Sequence, residues 1–314
     1  MENLCAVETN TEAKKLLYNE QPRMQWHPPN TYPIRKQAMH NAHHYLKAAY
    51  HGTANTEYTL PTDWGQGRAG FGGLIAGMMI AAMRRNVPAE RALLSMSCTF
   101  VGPVLLDVPF TISTCILRDG KNAMQLEARI VQDDGKGNLT PTIVLASFGA
   151  MRPSKAVLNA LPAPSVASPD ELPALPFIPN VIPNFAQHVD MRWAFGALPY
   201  SGQGTHEMGG WWRWKDCASE EIEPELFEAH RVALTDAWPP AILPLINKLA
   251  PASSMTWTMQ FAQPAPAFDN AWNLYRATIA QAAHGYGLTH AEIWDAQGQL
   301  IAVSSQLVAV FDGE

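Results

Sequence analysis

Residues 70–85 read GFGGLIAGMMIAAMRR, a stretch that is almost wholly apolar and rich in Gly, Ala and Met. Such a run, a little longer than an average helix, predicts a helix that is buried on all sides. It is too short to span a bilayer. A helix without a polar face needs other elements around it, so we expect it to be the central helix of a curled antiparallel sheet.

Four segments with strand character follow this helix, at residues 92–101, 108–117, 124–132 and 142–151. They are rich in Val, Ile, Phe and Thr or alternate in polarity. Their breaks are GP at 102–103, DG at 119–120 and DDGKGN at 133–138. A helix followed by consecutive strands with short turns predicts an α+β unit with an antiparallel sheet.

The second half of the chain repeats this order. Strand-like segments at 187–195 and 206–215 precede a helical region at 223–249, and four more strand-like segments follow at 255–261, 272–282, 287–295 and 300–311. LSMSCTFVGP (94–103) parallels MTWTMQFAQP (255–264), and TIVLASFGAM (142–151) parallels LIAVSSQLVA (300–309). We therefore predict a pseudo-dimer in one chain, with an N-terminal extension (1–50), a first unit (51–152), a Pro-rich linker (153–184) and a second unit (185–314).

Composition excludes several classes of protein. The chain has 314 residues, of which 47% are hydrophobic and 16% charged, and its net charge is −6 without a Lys/Arg cluster. Nucleic acid and anionic membranes are therefore not expected as partners. The N-terminal residues contain no apolar core typical of a secretory signal, and the four cysteines form no CxxC pair, so we expect a cytoplasmic protein with free thiols.

Three polar residues of the second half stand where the first half has apolar ones. With the matching segments aligned, Asp236 falls on Ile75, Ser254 on Leu93 and Gln306 on Phe148. The sister unit folds without these polar groups, and burying them is unfavourable unless they are paired. A carboxylate, a hydroxyl and an amide that converge between helix and sheet would hold and polarise a water molecule.

Each of these residues also has a purely structural interpretation. Asp236 could be a cap or turn residue before the Pro-Pro break that follows it. Ser253 or Thr256 could take the place of Ser254. Gln306 could face solvent from an alternating strand.

Other motifs have weaker functional interpretations. His40 and His44 have a spacing that a metal could use, although a solvated helix face is favoured because no HExxH pattern is present. GQGRAG at 65–70 matches a dinucleotide-binding glycine pattern, but no buried strand precedes it, so a tight turn into the helix is favoured. The tryptophans at 211, 212 and 214 either line a ligand tunnel or fill the core, and the core is favoured.

The sequence resembles the double-hotdog acyl-CoA thioesterases of the bacterial thioesterase II and peroxisomal type. The likeness rests on FGGLIAGMMIAAMRRNVPAERALLSMSCTFVGPV (71–104), VPFTISTCILRDGKNAMQLEARIVQ (108–132) and TIVLASFGAMRP (142–153), and it extends over about 55–314. It implies a double-hotdog fold whose catalytic Asp, Thr/Ser and Gln map to Asp236, Ser254 and Gln306. The sequence departs from the family pattern where Ser replaces Thr, in the residues around 254–260, and at Pro239 and Pro240, which interrupt the second helix. The first 50 residues do not share the resemblance.

The implied reaction is hydrolysis of an acyl-CoA to a free acid and CoA by direct attack of water. Asp236 would be the general base, and backbone N–H groups near Gly72 and Gly73 would stabilise the oxyanion. No cofactor or metal is expected, the first unit is expected to be catalytically degenerate, and a homo-oligomer is one possible assembly. The alternative is a double-hotdog protein that binds an acyl-CoA or an acyl carrier without hydrolysis, or a hydratase-like enzyme.

Overall fold

The computed structural model describes residues 40–217 and 222–313. Residues 1–39 of the predicted N-terminal extension, including Cys5, one of the four cysteines expected to be free thiols, lie outside the described residues. Among the helices of the described ranges, none is long and apolar enough to cross a membrane.

Residues 40–217 and 222–313 contain three α-helices and fourteen strands, besides short 3₁₀ turns. The helices are α1 (Ala42–His51), α2 (Gly72–Arg84) and α3 (Phe227–Thr235). The strands of the first half are β1 (Glu57–Tyr58), β2 (Gly65–Gln66), β3 (Ala69–Gly70), β4 (Arg91–Phe100), β5 (Phe110–Asp119), β6 (Ala123–Asp133), β7 (Asn138–Leu139) and β8 (Thr142–Ala150). Those of the second half are β9 (Val189–Phe195), β10 (Glu207–Trp214), β11 (Ala252–Phe261), β12 (Asn273–Ala283), β13 (Tyr286–Trp294) and β14 (Leu300–Val310).

The apolar stretch at 70–85 forms α2, in which every residue except Gly72 is buried. The helix begins two residues later than predicted because β2 and β3 pair as a two-residue ladder directly before it. Gly67 lies in their turn with a φ of 65°, which glycine adopts without strain. The GQGRAG glycines therefore form a tight hairpin turn and not the strand-to-helix turn of a dinucleotide site.

Twelve of these strands form one antiparallel sheet in the order β1-β5-β6-β8-β4-β11-β14-β13-β12-β10-β9, with β7 beside β6, and β2 and β3 pair separately. The first half contributes β5-β6-β8-β4, and the second half contributes β12-β13-β14-β11 in the corresponding order. Each half therefore has its own helix and its own four-stranded sheet, and β4 and β11 join the two halves edge to edge. The predicted α+β double-hotdog fold is confirmed.

The pairing of β4 with β11 tests the internal alignment. Ser97 pairs with Thr258, and these residues are 161 positions apart, which is the offset that aligns Phe100 with Phe261. Where two repeats meet across a pseudo-twofold axis, the residue on the axis pairs with its own counterpart. The register of the central strands therefore confirms this part of the alignment.

The alignment of the two helices is wrong because the second half contains an insertion. Residues 85–90 connect α2 to β4, whereas residues 236–251 connect α3 to β11, which is ten residues more. Asp236 is the C-cap of α3 and corresponds to Arg85, the C-cap of α2, instead of Ile75.

The predicted match of Gln306 with Phe148 is wrong by two residues. Met96 pairs with Ala146 across β4 and β8, and Trp257, the counterpart of Met96, pairs with Gln306 across β11 and β14. Gln306 therefore replaces Ala146. Side chains of a strand alternate between its faces, so a shift of two keeps Gln306 on the helix-facing side.

The Pro-rich segment between the halves lies along the second unit. Ala163 N–H donates to the carbonyl of Gly298, and Trp211 Nε1 donates to the carbonyl of Ala167. Further along, Leu175 N–H donates to the carbonyl of Met191 in β9. These contacts fix the extended chain against the turn after β13 and against the edge strands.

Candidate active site

Asp236 is positioned by the end of α3. The helix ends at Thr235, and Asp236 has φ −78° and ψ 0°, outside the helical region. Pro239 and Pro240 follow after Ala237 and Trp238, and proline lacks the N–H that a continued helix needs. The side chain is therefore free of the next helical turn and points across the end of the helix towards the sheet.

Ser254 is turned inward by a β-bulge in β11. The register with β14 shifts between Ser254 and Thr256, so Met255 is an extra residue. The bulge brings Ser254 onto the same face as Trp257, which is fully buried under the helix. The first half has the same device, because the register of β4 shifts between Leu93 and Ser95. The predicted correspondence of Ser254 with Leu93 is confirmed.

Gln306 connects the other two residues. Its Nε2 donates to Asp236 Oδ1 at 2.9 Å, and its Oε1 accepts a hydrogen bond from Ser254 Oγ at 3.2 Å. All three residues are half-buried. Ser253 instead donates to the carbonyl of Ser254 at 3.4 Å. The structure thus brings the predicted carboxylate, hydroxyl and amide together in one hydrogen-bonded chain, with Ser254 as the hydroxyl.

The predicted glycines lie on the other side of Asp236, at the start of α2. Gly73 N–H donates to the Asp236 carboxylate. A Cβ on Gly72 would lie 3.0 Å from Asp236 Oδ2, and one on Gly73 would lie 2.8 Å from Asp236 Cβ. Only glycine therefore lets the start of α2 approach the end of α3 this closely.

Burial raises the pKa of Asp236 to about 7. The hydrogen bonds from Gln306 and from Gly73 N–H favour the charged carboxylate and act in the opposite direction, but desolvation is the larger effect. A carboxyl group with a pKa near neutrality is suited to accept and release a proton at pH 7. Asp236 therefore has the electrostatic character of a general base.

Residues that the sequence did not single out complete the surroundings of Asp236. The ring of Phe100 in β4 lies against Gly72. Burial, and secondly the charge of Asp236, raises the pKa of the Cys98 thiol and of the Tyr275 hydroxyl. Both halves of the chain therefore build the site.

The corresponding place in the first half holds a buried ion pair. The helices α2 and α3 run antiparallel. The end of α3, with Asp236, therefore lies beside the start of α2, and the end of α2 lies beside the start of α3. There, Arg84 Nη1 donates to Glu228 Oε2 at 3.1 Å, and Glu228 Oε1 accepts Leu93 N–H at 2.5 Å. The guanidinium of Arg84, the residue before the Asp236 counterpart Arg85, and the apolar side chain of Leu93 thus lie at the place in the first half that corresponds to Asp236 and Ser254.

The histidines with metal-ligand spacing form a ring stack. The imidazoles of His40 and His44 are 3.8 Å apart between centroids and nearly parallel. Within residues 40–217 and 222–313, no group of three or more His, Cys, Asp or Glu side chains is placed to hold a metal ion.

Comparison with protein-family models identifies the chain. Residues 60–149 match the acyl-CoA thioesterase N-terminal domain, and residues 169–310 match the acyl-CoA thioesterase C-terminal domain. The chain belongs to the acyl-CoA thioesterase family. As a member of this family it is a thioester hydrolase. The first match contains α2 and β4 to β8, and the second contains α3 and β9 to β14.

Solved structures with the same fold span almost the whole described chain. A conserved hot dog fold protein from Alicyclobacillus acidocaldarius is 22% identical, with a TM-score of 0.69 over 85% of this chain and 97% of its own. The tesB protein of Mycobacterium avium subs paratuberculosis is 16% identical, with a TM-score of 0.67 over 86% of this chain and 99% of its own. The acyl-CoA thioesterase II TesB2 of Mycobacterium marinum is 18% identical, with a TM-score of 0.65 over 86% of this chain and 99% of its own. At these identities the likeness establishes the fold of this thioesterase. No curated protein sequence matches it.

Proposed function

We propose that this thioesterase hydrolyses acyl-CoA by direct attack of a water molecule held by Asp236, Ser254 and Gln306. The observation that carries the proposal is the continuous hydrogen-bonded chain from Ser254 through Gln306 to a carboxyl group with a pKa of about 7. A protein that only binds acyl groups has no need for such a chain beside an ionisable carboxyl.

Asp236 takes the proton from the attacking water. The water oxygen forms a bond with the thioester carbonyl carbon while its proton moves to Asp236. Collapse of the tetrahedral intermediate breaks the C–S bond, and the proton passes to the departing thiolate. General base catalysis of this kind contributes on the order of 10²–10⁴ in rate.

Gln306 and Ser254 orient the water and the base. The Gln306 amide has a donor and an acceptor on one planar group, and here both are used. Because Gln306 separates Ser254 from Asp236, the serine hydroxyl is not bonded directly to the base. Ser254 is therefore assigned as a positioning group for water and not as a nucleophile.

Gly72 is assigned as the oxyanion donor. It is the first residue of α2, and the N–H groups of a first helical turn have no partner within the helix. The helix dipole adds a partial positive charge at this end. The neighbouring Gly73 N–H is already directed to Asp236, so Gly72 is the donor offered to the carbonyl oxygen of the substrate.

Cys98 is another group near Asp236 with nucleophilic chemistry. Only 1% of its surface is exposed, and burial raises the pKa of its thiol. The thiolate is the reactive form of cysteine, and it is disfavoured here. This supports direct hydrolysis over an acyl-enzyme route.

Rapid-quench kinetics with an acyl-CoA distinguish the two routes. Direct attack predicts that the free acid and CoA form together in equal amounts at every time after mixing. A burst of CoA that is not matched by an equal amount of free acid, or an acylated protein detected by mass spectrometry, would contradict the proposed mechanism.

A further inference from the structure

A group of aromatic rings adjoins Asp236. The ring of Trp238 stacks on that of Tyr275 with centroids 5.6 Å apart and planes within 5° of parallel. Trp193 meets Trp238 edge-on at 5.2 Å. We call these three residues the aromatic wall. Trp212 lies behind it, 5.6 Å from Tyr275 and 6.4 Å from Trp238.

The wall adjoins the reacting centre. Trp238 follows Asp236 by two residues, at the point where the chain leaves α3. Tyr275 and Trp193 keep accessible surface, whereas Trp238 is buried between them. The charge of Asp236 also contributes to raising the pKa of the Tyr275 hydroxyl, after burial. A substrate whose carbonyl carbon lies beside Asp236 therefore has aromatic surface next to its acyl group.

The space behind the wall is nearly filled. Between α3 and the sheet of the second unit lies a cavity of about 10 Å³, lined by Trp212, Leu234, Met259 and Phe261 among others. This is room for about one water molecule, whereas pockets for organic ligands are typically about 300–1,000 Å³. Trp212 and Trp238 are themselves buried. A long alkyl chain thus has no ready path through the core at this point.

We propose that the acyl group of the substrate lies on the aromatic wall, and that the enzyme prefers compact acyl groups carrying an aromatic ring over long unbranched chains. This inference rests on the thioesterase site proposed above. Aromatic rings that pack in stacked or edge-on geometry gain free energy beyond that of the buried area. An alkyl chain of equal carbon number gains the burial alone.

The test compares thioesters of matched size. Phenylacetyl-CoA and octanoyl-CoA both carry eight acyl carbons, and palmitoyl-CoA is the long-chain probe. For the wild-type protein we expect kcat/KM for phenylacetyl-CoA to exceed that for octanoyl-CoA by about tenfold. The value for palmitoyl-CoA should be lower again by about tenfold or more, given a cavity of about 10 Å³.

Variants of Tyr275 distinguish an effect of its aromatic ring on substrate preference from an effect on the fold. Tyr275→Leu should reduce the phenylacetyl-to-octanoyl ratio to about one, whereas Tyr275→Phe should keep the ratio of the wild type. Trp211→Leu is the control, because Trp211 is bonded to the linker carbonyl of Ala167 and lies outside the wall. If Tyr275 had a merely structural role, Tyr275→Leu would lower kcat/KM for both substrates alike and leave the ratio of the two values unchanged.

The outcomes distinguish this inference from the proposed function. If CoA is released but octanoyl-CoA or palmitoyl-CoA is the better substrate, the inference is overturned and the thioesterase site stands. The same holds if Tyr275→Leu leaves the ratio unchanged. If no thioester is hydrolysed, the proposed function fails first.

Discussion

Gln306 Nε2 donates to Asp236 Oδ1 across 2.9 Å, and this bond connects β14, the last strand in chain order, to the C-terminal end of α3. The two residues are 70 positions apart in the chain. Because the other end of the same amide accepts from Ser254, Gln306 fixes the direction of the whole chain of hydrogen bonds. The base is therefore held by the sheet and not only by its own helix.

Gln306→Glu should inactivate the enzyme near neutral pH. The change replaces the donor with a second carboxylate beside Asp236, and two adjacent carboxyl groups raise each other's pKa. We expect kcat/KM at pH 7 to fall about 100-fold, with partial recovery at higher pH. A variant that keeps the rate and pH profile of the wild type would show that Gln306 does not act on the base.

Ser254 offers a matched pair of variants. Ser254→Thr keeps the hydroxyl and should stay within about threefold of the wild-type kcat, whereas Ser254→Ala should lose about 10- to 100-fold through the lost positioning bond. Steady-state release of CoA measures both. Equal activities of the two variants would remove the hydroxyl from the mechanism, and Ser253→Ala is the control on the neighbouring exposed hydroxyl.

The pH dependence follows from the raised pKa of Asp236. Activity should increase through pH 7, where the carboxyl loses its proton, and level off above it. Stability should change in the opposite sense. The folded protein binds this proton more tightly than the unfolded chain, whose Asp has a pKa of about 3.9, so stability is lost as the pH rises from about 4 to about 7.

Asp236→Asn removes this dependence. The melting temperature of the variant minus that of the wild type should therefore increase between pH 4 and pH 7 and then stay constant. Thermal unfolding across this range measures it. A difference that does not change with pH would contradict the raised pKa.

Gly72 and Gly73 should respond differently to alanine. The Cβ of Gly72→Ala would meet Asp236 Oδ2 at 3.0 Å and the Phe100 ring at 3.1 Å, so we expect about a 100-fold loss of kcat with a small loss of stability. The Cβ of Gly73→Ala would overlap the Ala233 carbonyl, which is fixed in α3, so this variant should lose about 1–3 kcal/mol of stability. If both variants lost only stability, Gly72 would be a packing residue alone.

The sequence predicted the fold well because hydrophobic periodicity is a local signal. The buried stretch became α2 and each predicted strand formed, since Val, Ile and Phe positions face the helix in both halves. The predicted alignment of Phe100 with Phe261 is confirmed, because the central strands pair across a pseudo-twofold axis, which allows no insertion between them.

The site was predicted less completely, for physical reasons. Asp236 was matched to Ile75 because a ten-residue insertion in a Pro-rich connection has no periodicity that reveals it. Single-residue bulges such as that at Met255 leave no mark in the sequence, yet this one determines that Ser254 faces inward. The approach of Gly73 to Asp236 depends on how two distant helices pack, which no local pattern contains.

The most direct measurement is CoA release by the wild type and by Asp236→Asn, side by side at pH 8 with phenylacetyl-CoA, octanoyl-CoA and palmitoyl-CoA. We expect turnover of at least one thioester by the wild type and a loss of kcat of about 10²–10⁴ in the variant, with the variant still folded by circular dichroism. Turnover by Asp236→Asn close to the wild-type rate would contradict Asp236 as the general base.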